Sequence, residues 1–206
     1  MAKNQRVQIV SPKGTAVYPW LNRPDTKFSD DGEYKVTLKI PAEQAQELIA
    51  KLDKMLEDYQ AEQASKDPKV GRFTANAPYD EEMDDNGNLT GNYLFKFKQK
   101  AKVHTKDGRT IDMKVALFDA SRTPTQAQVG GGSELKIAAT IWPYVMPATK
   151  SVGLSLRPSA VQIISLVSLS SGASNLFEVE DGFTDTGTVT EETTEEETKE
   201  FAATDF

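Results

Sequence analysis

The chain has 206 residues, enough for one domain with an appendage and for an apolar core that needs no covalent staples. It contains no cysteine and one histidine, which excludes disulfide frameworks, thiolate nucleophiles, cysteine-ligated metals and any site needing two imidazoles. The net charge of −7 is segregated: residues 178–206 hold eleven acids against Lys199, a net of −10, whereas residues 1–177 hold 20 acids and 23 bases, a net of +3.

A mildly basic body joined to an acidic tail points to nucleic-acid or basic-partner binding. No apolar run approaches the ~18 residues of a membrane span, and no signal sequence precedes the first strand. The expectation is a soluble, cytoplasmic protein with no membrane segment.

Residues 6–10 alternate as a short strand, closed by Ser11-Pro12-Lys13-Gly14, and residues 15–18 resume an extended run. Residues 19–31 carry two prolines and several turn formers and read as a loop. That loop holds Trp20, Arg23, Lys27 and Phe28, a mixture in which rings can stack on bases while cations follow a phosphate backbone. The alternative is that Trp20 and Phe28 only anchor the loop to the core.

Residues 33–40 form an alternating strand with Tyr34, Val36, Leu38 and Ile40 on one face and Lys35, Thr37 and Lys39 on the other. Pro41 then opens a helix where its missing N–H costs little. Ala45, Leu48, Ile49, Leu52, Met55, Leu56 and Tyr59 repeat at helical spacing to about residue 64, a packing face. Residues 65–92 read as a long loop with an acidic run at 80–85.

Residues 93–102 read as a strand of two contrasting faces. Tyr93, Phe95, Phe97, Gln99 and Ala101 share one side, while Leu94, Lys96, Lys98, Lys100 and Lys102 share the other. Four ammonium groups then recur at roughly 6.5–7 Å, twice the rise of a strand residue, close to the phosphate spacing of an extended single strand. Lysines also guard edge strands against aggregation, and the stretch alone leaves both readings open.

Lys106-Asp107-Gly108-Arg109 signals a hairpin, with residues 110–119 as its return strand. Residues 121–133 form a loop ending in Gly130-Gly131-Gly132-Ser133. Residues 134–144 are a strand, 145–150 a reversal, and 152–158 with 161–169 the last strand system, in which Pro158 marks a bulge or bend. Five principal strands and one inserted helix fit a Greek-key β-barrel of the OB type over residues 1–177. Residues 178–206 hold too little apolar surface to offset ordering entropy, which predicts a disordered acidic tail.

Motifs for catalysis are missing. The glycine run lacks the Gly-Lys-Ser/Thr ending of a phosphate loop. The calcium-loop start at residues 82–87 has Tyr93 where its final glutamate belongs. His104 sits alone on a lysine-rich strand as a bystander. The acids of residues 80–85 could gather Mg²⁺ in principle, but contiguous loop acids are ordinarily solvated. The chain is expected not to be an enzyme and to need no cofactor.

The order of several short motifs resembles the single-stranded DNA-binding proteins of T7-type phages. They are Gly14-Thr15-Ala16 with Pro24-Asp25, Tyr34 to Pro41 before a helix, Phe95-Lys96-Phe97-Lys98, Gly130 to Lys136, Pro143-Tyr144, Ser151 to Leu156, and Asp205-Phe206 at the end of an acidic tail. The resemblance implies an OB-fold that binds single-stranded DNA without strong sequence preference in phage replication, recombination and repair. It implies DNA contacts from Lys96 and Lys98, and stacking by Tyr144. It implies partners through the acidic tail, a replicative polymerase and a helicase-primase, and it implies a homodimer.

Lys100 stands where the family leads one to expect an aromatic, and Asp31 where a base would help, so the groove is expected to rely more on charge than on stacking. With these, the DNA-facing set is Lys96, Lys98, Lys100, Lys102, Tyr144, Trp20 and Arg23, with Tyr144 and Trp20 the loop-borne stackers and Phe95 and Phe97 on the core side. The tail, with Glu195, Glu196, Glu197, Asp205 and Phe206, is expected to compete with DNA for the groove and to recruit partners once displaced. The competing reading is an acidic-tailed protein-binding adaptor with no direct DNA contact.

Overall fold

The structure is a computed structural model that describes residues 7–167. In chain order these form β1 (Gln8–Val10), β2 (Gly14–Asp25), β3 (Glu33–Pro41), α1 (Ala42–Lys66), β4 (Thr74–Asn76), β5 (Tyr79–Met83), β6 (Leu89–Lys100), β7 (Lys102–His104), β8 (Thr110–Asp112), β9 (Ala116–Phe118), β10 (Glu134–Met146) and β11 (Ser151–Ser165). The described residues are mostly β-sheet with a single α-helix, as the periodicities predict. The acidic stretch 178–206, including Glu195, Glu196, Glu197, Asp205 and Phe206, lies outside the described residues.

Five strands close on themselves. β2 pairs with β3, β3 with β6, β6 with β11, β11 with β10, and β10 returns to β2. Every one of these ladders is antiparallel except β6–β11, a parallel contact registered at Phe97 and Leu156. The alternation of β3 and β6 decides what goes inside: Val36, Leu38, Ile40, Phe95 and Phe97 are buried, and Leu135, Ile137, Leu156 and Val161 meet them from β10 and β11. Helix α1 seats Ala45, Leu48, Leu52 and Leu56 in the same core. Tyr79 ties β5 to the helix by donating to Asp53 Oδ1 at 2.6 Å.

Four segments differ from the sequence reading, each for a local reason. Residues 19–25 are not loop: β2 runs on to Asp25, with register shifts between Val17 and Trp20 and between Trp20 and Asp25. Pro19 and Pro24 fall within those irregular stretches, where a missing N–H takes nothing from the ladder. Trp20 and Tyr144 are therefore strand residues, not loop residues.

The lysine strand begins earlier, at Leu89, and breaks at Ala101. Ala101 turns inward, its N–H bonding Gly32 O and its carbonyl accepting from Met113. Lys102 thus belongs to β7, which pairs only with β8. The expected return strand 110–119 splits into β8 and β9, and β9 runs parallel beside β11 instead of beside β6. The loop 65–92 contains two short strands, β5 along β6 and β4 along β11. Pro158 does mark a bulge: Ala139 pairs with it while Ala138 pairs with Ala160.

Two close approaches need glycine. A Cβ on Gly14 would lie 2.6 Å from Lys39 O and 2.8 Å from the side chains of Leu38 and Ile40, where β2 crosses β3. A Cβ on Gly153 would lie 2.5 Å from the hydroxyl of Tyr144, which covers that glycine from the facing strand. Gly14→Ala should destabilise by about 1–3 kcal/mol, because a backbone carbonyl cannot yield as a side chain can. Gly71→Ala, whose new methyl meets nothing nearer than Ala64 Cβ at 3.5 Å, is the control and should be nearly neutral in urea denaturation.

Candidate nucleic-acid interface

The strand registers assemble one row of side chains across the outside of the barrel. Trp20 on β2 faces Lys35 on β3, and Lys35 faces Lys98 on β6. The Phe97–Leu156 register sets Ser155 and Arg157 of β11 beside Lys96 and Lys98. Ser155 then faces Trp142 on β10, and Arg157 faces Thr140. The Arg157 guanidinium lies 3.9 Å from the centre of the Trp142 ring, inside cation–π range. The row has an indole at each end and cations between them.

Two cavities flank Lys98 and Glu33, which line both. One, about 580 Å³, is bounded by Tyr18, Trp20, Phe28, Lys35 and Lys96. The other, about 710 Å³, is bounded by Lys100, Trp142, Tyr144 and Arg157. Together they make a groove with aromatic walls and a floor in which Lys35, Lys96, Lys98, Lys100 and Arg157 outnumber Asp25 and Glu33. Phe28 is 83% exposed, with the Lys27 and Lys35 ammonium groups 5.5 and 6.0 Å from its ring centre. Tyr18 is 82% exposed and has φ +48°, a left-handed backbone that a bulky residue seldom adopts. The irregular β2 ladder turns that ring outward over the groove.

The expected residues separate on this surface. Trp20, Lys98, Lys100 and Tyr144 line the groove. Lys96 lines it too but is held by Asp80 of β5. Arg23 lies on the far side of Trp20, 5.5 Å from its ring centre, and lines a neighbouring cavity of about 590 Å³. Lys102, past the break at Ala101, lines neither half of the groove. Phe95 and Phe97 are buried, on the core side of β6 as expected.

Lys35 and Arg157 belong to the row but were missing from the sequence-derived set. The alternation of residues 33–40 did expose Lys35, yet only the β3–β6 register sets it opposite Lys98. Arg157 stood beside Pro158 and was read only as part of the last strand system.

Ion pairs grade the cations. Asp25 is buried and takes the Lys35 ammonium and the Lys27 N–H, and these bonds hold its carboxyl below the usual value of 3.8. His104, bonded to Asp31 at 2.9 Å, likewise lowers Asp31. Glu82 is lowered by Thr90, Asn92 and Lys39. Lys98 and Lys100 have no carboxylate at ion-pair distance among the described residues.

The acids of residues 80–85 diverge: Asp80 goes to Lys96, Glu81 to the Tyr93 hydroxyl, Glu82 to Lys39, Thr90 and Asn92, and Asp84 closes its own turn. Among the described residues no three acidic, histidine or cysteine side chains gather for a metal ion.

Asp25 also predicts a pH dependence. A depressed carboxyl stabilises the fold fully above its unfolded value and loses that contribution as pH falls through the folded one. Asp25→Asn should therefore lose less stability than the parent between about pH 5 and about pH 3, read from urea midpoints at each pH.

Residues 13–166 match the family model described as single-stranded DNA-binding protein, bacteriophage T7. The chain is 27% identical over 201 residues to the single-stranded DNA-binding protein of Enterobacteria phage T3, covering 88% of this chain and 87% of that protein. It is 26% identical over 181 residues to that of Escherichia phage T7, covering 80% and 78%. In structure it resembles gp2.5, a single-stranded DNA-binding protein encoded by bacteriophage T7, with a TM-score of 0.67 and 23% identity over 87% of this chain and 99% of that one. A further likeness is to the single-stranded DNA-binding protein from bacteriophage Enc34 in complex with ssDNA, with a TM-score of 0.51 and 15% identity over 77% and 86%. These relatives are DNA-binding proteins and not enzymes, and the family match spans every strand of the barrel: this chain belongs to the single-stranded DNA-binding protein family of T7-type bacteriophages.

Proposed function

We propose that this protein coats single-stranded DNA without sequence preference during phage DNA replication, recombination and repair, in the host cytoplasm. In this reading its five-stranded barrel is an OB-type Greek-key barrel, and the domain extends over residues 1–177. The observation that carries the reading is the row Trp20, Lys35, Lys98, Arg157 and Trp142, in which cations lie between aromatic rings at strand spacing. Lysine side chains neutralise phosphates and release counterions, lowering log K by about 0.7 per contact for each decade of salt. Rings supply about 1–3 kcal/mol per stacked base, and every base offers a face, so sequence matters little.

Residues 178–206 act in this proposal as a disordered competitor. A −10 segment tethered to the body occupies the cationic groove at high local concentration until DNA displaces it. The released segment, with Glu195, Glu196, Glu197, Asp205 and Phe206, then meets basic surfaces on a replicative polymerase and a helicase-primase. A homodimer is part of the same proposal.

Four variants test it by fluorescence titration with oligo-dT. Lys98→Ala should lower the salt slope by about 0.7. Lys96→Ala should lower it less, because Asp80 already neutralises that ammonium. Trp142→Ala should weaken binding by about 5- to 150-fold, the equivalent of one stacked base. Deleting residues 178–206 should tighten binding at low salt and abolish polymerase binding. A protein-binding adaptor would show no oligo-dT binding at all, and unchanged low-salt affinity after the deletion would end the competitor idea.

A further inference from the structure

The outer face of β10 does not stop at Trp142. Alternate residues Tyr144, Trp142, Thr140, Ala138 and Lys136 share it, while Leu135, Ile137, Ala139 and Ile141 are buried behind. On β11 the matching outward residues run from Arg157 past Ser159 to Ala160 and Gln162. Between the groove and the far end of these strands the outward side chains are therefore small: Thr140, Ser159, Ala138 and Ala160. The bulge at Pro158 lies on the same stretch and bends the surface.

Beyond the bend is another cavity, of about 320 Å³, over Ala138 and Ala160 and bounded by Phe118, Arg122 and Lys136. Both cations are exposed, and neither has a carboxylate at ion-pair distance among the described residues. Arg122 is held in place: its N–H bonds Asp119 O at 3.0 Å, and Gln162 fastens the loop through Ala120 O at 2.9 Å. It keeps a left-handed backbone, φ +67°, at a position where glycine would be unstrained.

We propose that the DNA strand continues along this face into a second subsite, where Arg122 and Lys136 hold phosphates and Phe118 meets a base. The inference rests on the groove being the single-strand path. Two observations select single-stranded nucleic acid as the occupant. The subsite continues the aromatic and cationic face of the groove without an intervening large side chain, and its two cations complement a polyanion. The six residue steps from Trp142 to Lys136 span about 20 Å of strand, roughly three nucleotides at one nucleotide per two strand residues.

The test is a length ladder of oligo-dT bound to the full chain and to its Arg122→Gln/Lys136→Gln variant. The parent should gain affinity in a further step of about three nucleotides beyond the length that fills the groove. The variant should bind short oligonucleotides as the parent does, which also reports its folding, and should lack the further step. On long oligonucleotides it should bind about twentyfold more weakly at 0.1 M salt, with a slope lower by about 1.4, the loss of two phosphate contacts. Identical length dependence in both proteins would overturn the subsite. So would tighter binding of short oligonucleotides by the variant, because the pocket would then be holding the chain's own acidic segment. Failure of the parent to bind short oligonucleotides would remove the groove itself, a different result from losing only the added step.

Discussion

Everything on the binding face depends on the register between β3 and β6. Nine consecutive residues of β3 pair with β6 without a shift, from Glu33 opposite Lys100 to Pro41 opposite Asn92. Because side chains alternate strictly, this one ladder sends Val36, Leu38, Phe95 and Phe97 into the core and Lys35, Thr37, Lys96 and Lys98 outward. A slip of one residue on β6 would bury lysines and expose phenylalanines. Burying a large side chain contributes about 1.5–3 kcal/mol, and burying an unpaired ammonium costs far more. The core thus enforces the position of the cations, and the cationic face is as rigid as the barrel.

Charge on that face is distributed by pairing as much as by count. Asp25 claims Lys35, Asp80 claims Lys96 and Glu82 claims Lys39, while Lys98 and Lys100 have no carboxylate at ion-pair distance among the described residues. Along the β3–β6 ladder the paired Lys39 and Lys96 lie toward one end, and Lys98 and Lys100 toward the other. Of these pairs, the exposed Lys96–Asp80 adds little to stability. The effect of the pairing is to shape where an incoming anion is attracted.

How much of this could be read from the chain follows from which interactions are local. The two faces of β3 and β6 and the packing stripe of α1 are written in periods of 2 and 3.6, and all three are present as expected. The bulge at Pro158 follows from a missing donor and was legible too. Prolines misled at β2, because a strand that breaks register can absorb Pro19 and Pro24 while remaining a strand. Lys102 was misplaced because Ala101, a small residue inside an unbroken alternation, gives no local warning of the inward turn made with Gly32 and Met113. Lys35 and Arg157 escaped because their roles come from partners 63 positions away on β6 and 15 positions away on β10. The order of family motifs carried the identification even where geometry could not be derived. Gly14 and Gly153, both within those motifs, turn out to be places where a neighbour, the Lys39 carbonyl or the Tyr144 ring, comes too close for any side chain.

The parallel contact between β6 and β11 is confined to the register of Phe97 with Leu156, whereas β10 and β11 pair along almost their whole length. The barrel therefore has a seam, and the groove lies across it, with Lys98 on one lip and Arg157 on the other. A polyanion that engages both lips sutures the seam at no cost to the core. Occupancy and mechanical integrity are then linked quantities: an anion that bridges the two lips also holds the barrel closed.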